Sequence, residues 1–170
     1  MLNREEIKKL IEQKGLVKDY CSLDIQLTPN GLDTTAGKIF EFEAPGALDF
    51  SNSERVVPEG KEILPKKENI QDKYGWWNLK GGAYKIRTNE FFSLPKGLTA
   101  IAFPRSSLLR MGAFTQTAVW EAGFRGKAEF ILIVENPKGI RLKQNARVMQ
   151  VVFIKIKAPR QGYNGIYQES

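Results

Sequence analysis

Seven short runs of branched and aromatic residues, each cut off by Gly, Pro, Asn or charge, constrain this chain more than any other feature. They are KIFEFEA (38–44), AYKIRTNEFFSL (83–94), LTAIAFP (98–104), TQTAVWEA (115–122), KAEFILIVEN (127–136), IRLKQ (140–144) and RVMQVVFIKIK (147–157). Such residues suit a pleated, half-buried surface. Strands this short and frequent predict an all-β sandwich, jelly roll or barrel. One helix is expected ahead of them, over residues 3–14. Asn3 can cap it, Glu5 and Glu6 suit its first turn, and Gly15 can end it. Ile7, Leu10 and Ile11 form its apolar face.

The 170 residues suffice for one domain spanning 1–170. Residues 44–82 interrupt the strand pattern with Pro, Gly and many charges, and read as a long excursion. Their paired Trp76 and Trp77 either anchor the excursion on the core or contact a ligand. Residues 159–170 read as a flexible C-terminal arm. Its Gly162, Gly165, Tyr163 and Tyr167 either fray or fold over a ligand.

Composition excludes much chemistry. There is no His and only one Cys, Cys21, so the usual zinc sites and histidine-based triads are out of reach. A hydrolytic water would need a carboxylate, or a hard metal such as Mg²⁺. The net charge is +7. Residues 1–100 carry 15 Lys and Arg against 15 Asp and Glu, while residues 101–170 carry 11 against 4. An anionic partner is therefore expected on the C-terminal part. No apolar run has membrane-spanning length, and the charged MLNREEIKKL start lacks a signal-peptide core, so a cytoplasmic location is expected.

PRSSLLRMG (104–112) places Arg105, Ser106, Ser107 and Arg110 within six residues. Guanidinium groups and hydroxyls together suit phosphate oxygens. If Arg105 ends a strand and a helical turn follows, backbone N–H groups point at the same anion. The competing reading is a capped helix start with Ser as N-cap. Asp33 in PNGLDTTAG stands at a turn-to-strand passage, where an Asx turn is the plainer role. Gln150 lies among apolar residues and needs hydrogen-bond partners, from a ligand's base edge or from backbone. In VWEAGFRG, Glu121 precedes a turn in which Gly123 and Gly126 flank Phe124. That turn can press a ring against a flat ligand while the carboxylate meets water. On its own, Glu121 reads as structural.

The order of these blocks resembles the superfamily of deoxyuridine triphosphatases and deoxycytidine triphosphate deaminases, its archaeal dUTPase branch above all. PNGLD, FPRSSLLRMG, AVWEAGFRGK, LKQNARVMQVVF and GYNGIYQ carry the resemblance over about residues 24–168. It implies a distorted jelly roll, or β-clip, in a homotrimer with active sites at subunit interfaces. It implies a dUTP diphosphatase that releases dUMP and pyrophosphate with Mg²⁺ held mainly by the triphosphate, so no direct metal ligand is assigned. Arg105, Ser106, Ser107 and, more loosely, Arg110 would hold the phosphates. Glu121 would contact the deoxyribose and orient the water, where Asp is usual. Phe124 would stack under the sugar, and Gln150 would bind near the base. The tail, with Tyr163 and Gln168, would close over the phosphates. Asp33 would be supporting or Mg²⁺-linked. No nucleic acid or membrane partner is expected.

Within that superfamily one position separates the activities. Deaminases carry a Glu five positions after the Gly closing the GFRG-type turn. Here that position is Ile131, which can neither accept nor donate a proton. Glu129 faces the same side of a regular strand but lies about 7 Å away. Hydrolysis is therefore expected over a dCTP deaminase or a bifunctional enzyme. A nucleotide-binding regulator without catalysis is the alternative from another class.

Overall fold

Strict alternation of buried residues with half-buried or exposed ones along 84–93 and 125–134 organises the molecule. Tyr84, Ile86, Thr88, Glu90 and Phe92 point inward from one strand, and Gly126, Ala128, Phe130, Leu132 and Val134 from its neighbour. This is the two-residue period of a sheet with one packed face. The computed structural model describes residues 1–169. Its elements are α1 (Arg4–Lys14), β1 (Val17–Lys18), α2 (Leu23–Gln26), β2 (Leu27–Thr28), β3 (Gly31–Glu41), β4 (Lys61–Glu62), β5 (Trp76–Leu79), β6 (Gly82–Ser93) and β7 (Leu98–Pro104). They continue with α3 (Ser106–Arg110), β8 (Ala113–Gln116), β9 (Arg125–Val134), β10 (Ile140–Lys143) and β11 (Arg147–Lys155).

The main sheet runs β7-β11-β3-β6-β9-β8, with β1, β2 and β4 attached at its sides. Every pairing is antiparallel. At one end of that order Ala100 of β7 bridges Trp120, just beyond β8 at the other end, so the sheet curls almost into a barrel. This is the expected all-β, distorted jelly-roll architecture. The central strand β3 is buried without a break from Gly31 to Ala36. It sits between β11 and β6, so both of its edges are paired.

The helix forms where its sequence signals place it. Asn3 and Glu6 make a reciprocal capping box, and Gly15 ends the helix in the left-handed region at φ 64°. Ile7 and Ile11 are buried and Leu10 packs against the core. The TQTAVWEA run yields less strand than expected. Only Ala113–Gln116 pair with β9, and the chain then leaves the ladder until the Trp120 bridge.

In the excursion, β4 pairs with β3 and β5 pairs with β10. The two tryptophans differ in burial, and Trp77 takes the anchoring role. Trp77 is 1% exposed and donates its indole N–H to Ile63 O at 2.7 Å. Trp76 is half-buried, with Arg141 and Lys143 over its ring at 4.6 and 5.2 Å.

Trp77→Ala is expected to cost about 3–5 kcal/mol by leaving a cavity. Trp77→Phe should cost less, since it retains most of the ring volume and loses the hydrogen bond to Ile63. Urea unfolding of the two variants measures the difference.

Candidate functional site

A single buried carboxylate gathers the first group of candidate side chains. Asp33 lies within β3 and not in an Asx turn, and its side chain is 4% exposed. Its Oδ2 meets Arg105 Nε at 2.9 Å and Arg147 Nη1 at 3.1 Å. Burial pushes the Asp33 carboxyl up, and the two guanidinium charges oppose that shift. Sheet order explains the meeting. Asp33 on β3 pairs with Gln150 on β11, which pairs with Phe103 on β7, and Arg105 follows the end of β7.

Arg105 does end a strand and begin a helical turn, and it, not a serine, occupies the N-cap position. Its side chain makes no capping bond, since a guanidinium has no acceptor to offer a backbone N–H, and it turns to Asp33 instead. The turn is only five residues long, so positive charge at this point comes from side chains. Ser106, Ser107 and Arg110 are exposed, with no side-chain partner among the described residues. Beside them opens a cavity of about 500 Å³ whose lining includes Arg105, Ser107, Lys143, Arg147 and the Trp76 ring.

Gln150 finds a partner not foreseen from sequence. Its Nε2 donates to Thr28 Oγ1 at 2.6 Å. Gly31 makes room for this, since a Cβ there would lie 2.4 Å from Val151 O and 3.2 Å from the Gln150 amide.

Glu121 and Phe124 lie elsewhere. The Trp120–Ala100 bridge and the hydrogen bonds between Leu94 and residues 123–124 fix their turn at the opposite end of β7. Arg105 stands five positions beyond Ala100, or roughly 16 Å along a strand. Gly123 takes φ 90°, as the turn requires. Phe124 packs edge-on to Trp120 and Tyr163, with centroids 6.4 and 5.8 Å away. The Glu121 carboxylate is exposed and has no side-chain partner among the described residues.

The tail seats on this same turn. Tyr163 N donates to Ala122 O at 2.8 Å. Gln168 brackets the turn, accepting from Arg125 N and donating to Gly123 O, both at 3.1 Å. The arm's last residue, Ser170, lies outside the described residues.

On β9, Glu129 is committed to Lys85 at 3.2 Å and Arg87 at 2.6 Å. Ile131 stands two positions on, opposite Lys85 and Gln116.

The main residues missed from sequence are Arg147, Lys143 and Glu90. The excess of cations in RLKQNAR was a signal for the first two, but it did not show which would face a cavity. Glu90 is fully buried. It accepts from Gln26 Nε2 at 2.7 Å, Thr35 Oγ1 at 2.6 Å and Thr35 N at 3.0 Å. Nothing in its strand pattern distinguishes it from a surface glutamate until the alternation is counted.

The sequence pattern of the dCTP deaminase-like family matches residues 1–156. A probable deoxyuridine 5'-triphosphate nucleotidohydrolase of Archaeoglobus fulgidus is 41% identical over 168 residues, covering 99% of this chain and 95% of the relative. One from Methanosarcina mazei is 44% identical over 170 residues, with 99% and 96% covered. Among solved structures, a 2'-deoxycytidine 5'-triphosphate deaminase from Agrobacterium tumefaciens superposes with a TM-score of 0.62 at 20% identity. The match covers 89% of this chain and 47% of that one.

Two outcomes test this geometry. Burial raises the Glu90 pKa above its ordinary value near 4.5. Stability from its neutral form is therefore fully present below that value and is lost as pH rises through the raised pKa. Glu90→Gln should abolish that loss, seen as a flatter dependence of urea midpoints on pH from 4 to 8. Separately, Gln168→Ala should speed amide exchange at Arg125 about tenfold or more while leaving Ile86 unchanged, read by hydrogen exchange.

Proposed function

The chain belongs to the dCTP deaminase-like family, and from that premise we propose that it is a dUTP diphosphatase releasing dUMP and pyrophosphate. The observation that carries this reading over deamination is the occupancy of β9. Ile131 has no proton to exchange, and the nearest carboxylate on the same face, Glu129, is tied to Lys85 and Arg87. Curated relatives carrying the nucleotidohydrolase name at 41–44% identity support the same choice.

The chemistry follows from the side chains. Arg105, Ser106, Ser107 and Arg110 receive the triphosphate and stabilise charge on it. Glu121, exposed and unpartnered, orients and deprotonates the attacking water. Phe124 supports the sugar, Gln150 lies near the base, and Tyr163 and Gln168 belong to the closing tail. Asp33 supports the phosphate group of residues through Arg105.

No group of three or more His, Cys, Asp or Glu side chains able to hold a metal occurs among the described residues. On this reading Mg²⁺ would arrive on the substrate's phosphate oxygens, where few protein ligands are needed. Bound there, the ion would neutralise phosphate charge.

Arg105 and Glu121 lie at opposite ends of β7 within one chain. A complete site therefore forms when one copy's 121–124 turn approaches another copy's Arg105 cavity, as in a homotrimer with interfacial sites. The same reading places the protein in the cytoplasm, without a nucleic-acid or membrane partner. No helix among the described residues is long and apolar enough to cross a membrane.

With dUTP and Mg²⁺ the protein should release pyrophosphate. Glu121→Gln should lower kcat about 10²–10⁴-fold, the usual scale for removing a general base. Ammonia released from dCTP, or nucleotide binding without turnover, would count against the proposal.

A further inference from the structure

The cavity beside α3 is lined by two guanidinium groups besides that of Arg105: Arg141, which is paired with Glu68, and Arg147, which the site has not yet used. Arg147 shares the Asp33 carboxylate with Arg105, both on Oδ2, and also donates to Ile25 O at 2.9 Å. A guanidinium has five N–H donors. Beyond Asp33 and Ile25, that of Arg147 has no side-chain or backbone partner among the described residues. Its side chain is 34% exposed, close to the 28% of Arg105, and both line the cavity together with Ser107.

Local backbone geometry accounts for the placement. The register of β11 against β3 shifts between Arg147 and Met149. Such a bulge turns the side chain before it away from the regular alternation. Arg147 consequently meets Asp33, although Gln150 is the residue paired opposite Asp33. One carboxylate against two guanidinium groups leaves the cluster with a net positive charge. Lys143 on the same wall adds to it.

We infer that Arg147 is a polyphosphate-binding residue of the nucleotide site, held beside Arg105 by the shared Asp33 carboxylate. The inference rests on the reading of Arg105 and Ser107 as phosphate-binding. Asp33 is then a positioning residue acting through both arginines. Two forks fixed by one buried anion present their remaining N–H groups at a set spacing. This suits neighbouring phosphates better than one fork and flexible lysines. Charge that builds on departing pyrophosphate would meet both.

The probe is inorganic tripolyphosphate, titrated calorimetrically into the full chain, with dUTP kinetics alongside. Arg147→Gln should weaken tripolyphosphate binding about tenfold and raise KM for dUTP. Arg147→Lys should recover only part of the loss. Asp33→Asn should weaken binding in the native background and do so less in Arg147→Gln, where only Arg105 is left for it to position, a coupling that loss of general stability would not produce. On the unmutated protein, the Arg147 and Arg105 Nε–H resonances should both shift as tripolyphosphate is added, which keeps the test valid if a variant fails to fold. A folded Arg147→Gln that binds as tightly as the native chain would overturn the inference. So would an unmoved Arg147 resonance, or no native binding at millimolar probe. Native binding of this kind without pyrophosphate release from dUTP would sink the proposed activity alone. Turnover with unchanged KM in Arg147→Gln would sink this inference alone.

Discussion

One carboxylate with two guanidinium partners ties together three consecutive strands of this sheet. Asp33 stands on β3, Arg147 at the start of β11 and Arg105 just past β7. An isolated charge so deeply buried would be very costly, and two partners at hydrogen-bonding distance make it tolerable. The arrangement has a directional consequence. Cations that water would otherwise leave mobile are held against the sheet end, facing a cavity. Anion binding then needs less ordering of long side chains, because folding has already supplied it.

A second polar cluster lies behind the first. Glu90, Gln26 and Thr35 form a fully buried hydrogen-bonded group. Asn89 extends it, donating to Thr35 and to Asn145, both at 2.8 Å. Gln26 also donates to the backbone carbonyl of Asp33 at 2.9 Å. The strand carrying the site carboxylate is therefore fixed from both its side-chain and its main-chain groups. A sheet that closes upon itself leaves little room for partial satisfaction of such groups, and these are fully paired.

Much of this was legible in the residues, for physical reasons that differ by element. The helix declared itself because capping is local: Asn3, Glu6 and Gly15 act on their own turn. The β6 and β9 strands were legible because alternation is local too. Asp33 was not, since its partners come from residues 72 and 114 positions away, and no pattern within β3 announces them. The 117–119 segment was misread as strand because β propensity describes a side chain's fit and not the presence of a neighbouring strand. The blocks carrying Arg105, Glu121 and Gln150 stood out in order along the chain. Their separation into two groups at opposite ends of β7 is a property of the sheet and cannot be read from order.

The alternation along β9 also bears on how such a chain could change over generations. Its inward row, from Gly126 to Val134, packs the core, while the outward row contains Lys127, Glu129, Ile131 and Ile133. Ile131, the position on which the proposed choice of hydrolysis over deamination rests, lies on the outward row. Exchange of a side chain there leaves the inward packing untouched. On the proposed reading, reaction chemistry and structural integrity stand on opposite faces of one strand, so drift on one face need not be tolerated by the other. A chain built on this strand would then be able to change its chemistry without first passing through a weakened fold.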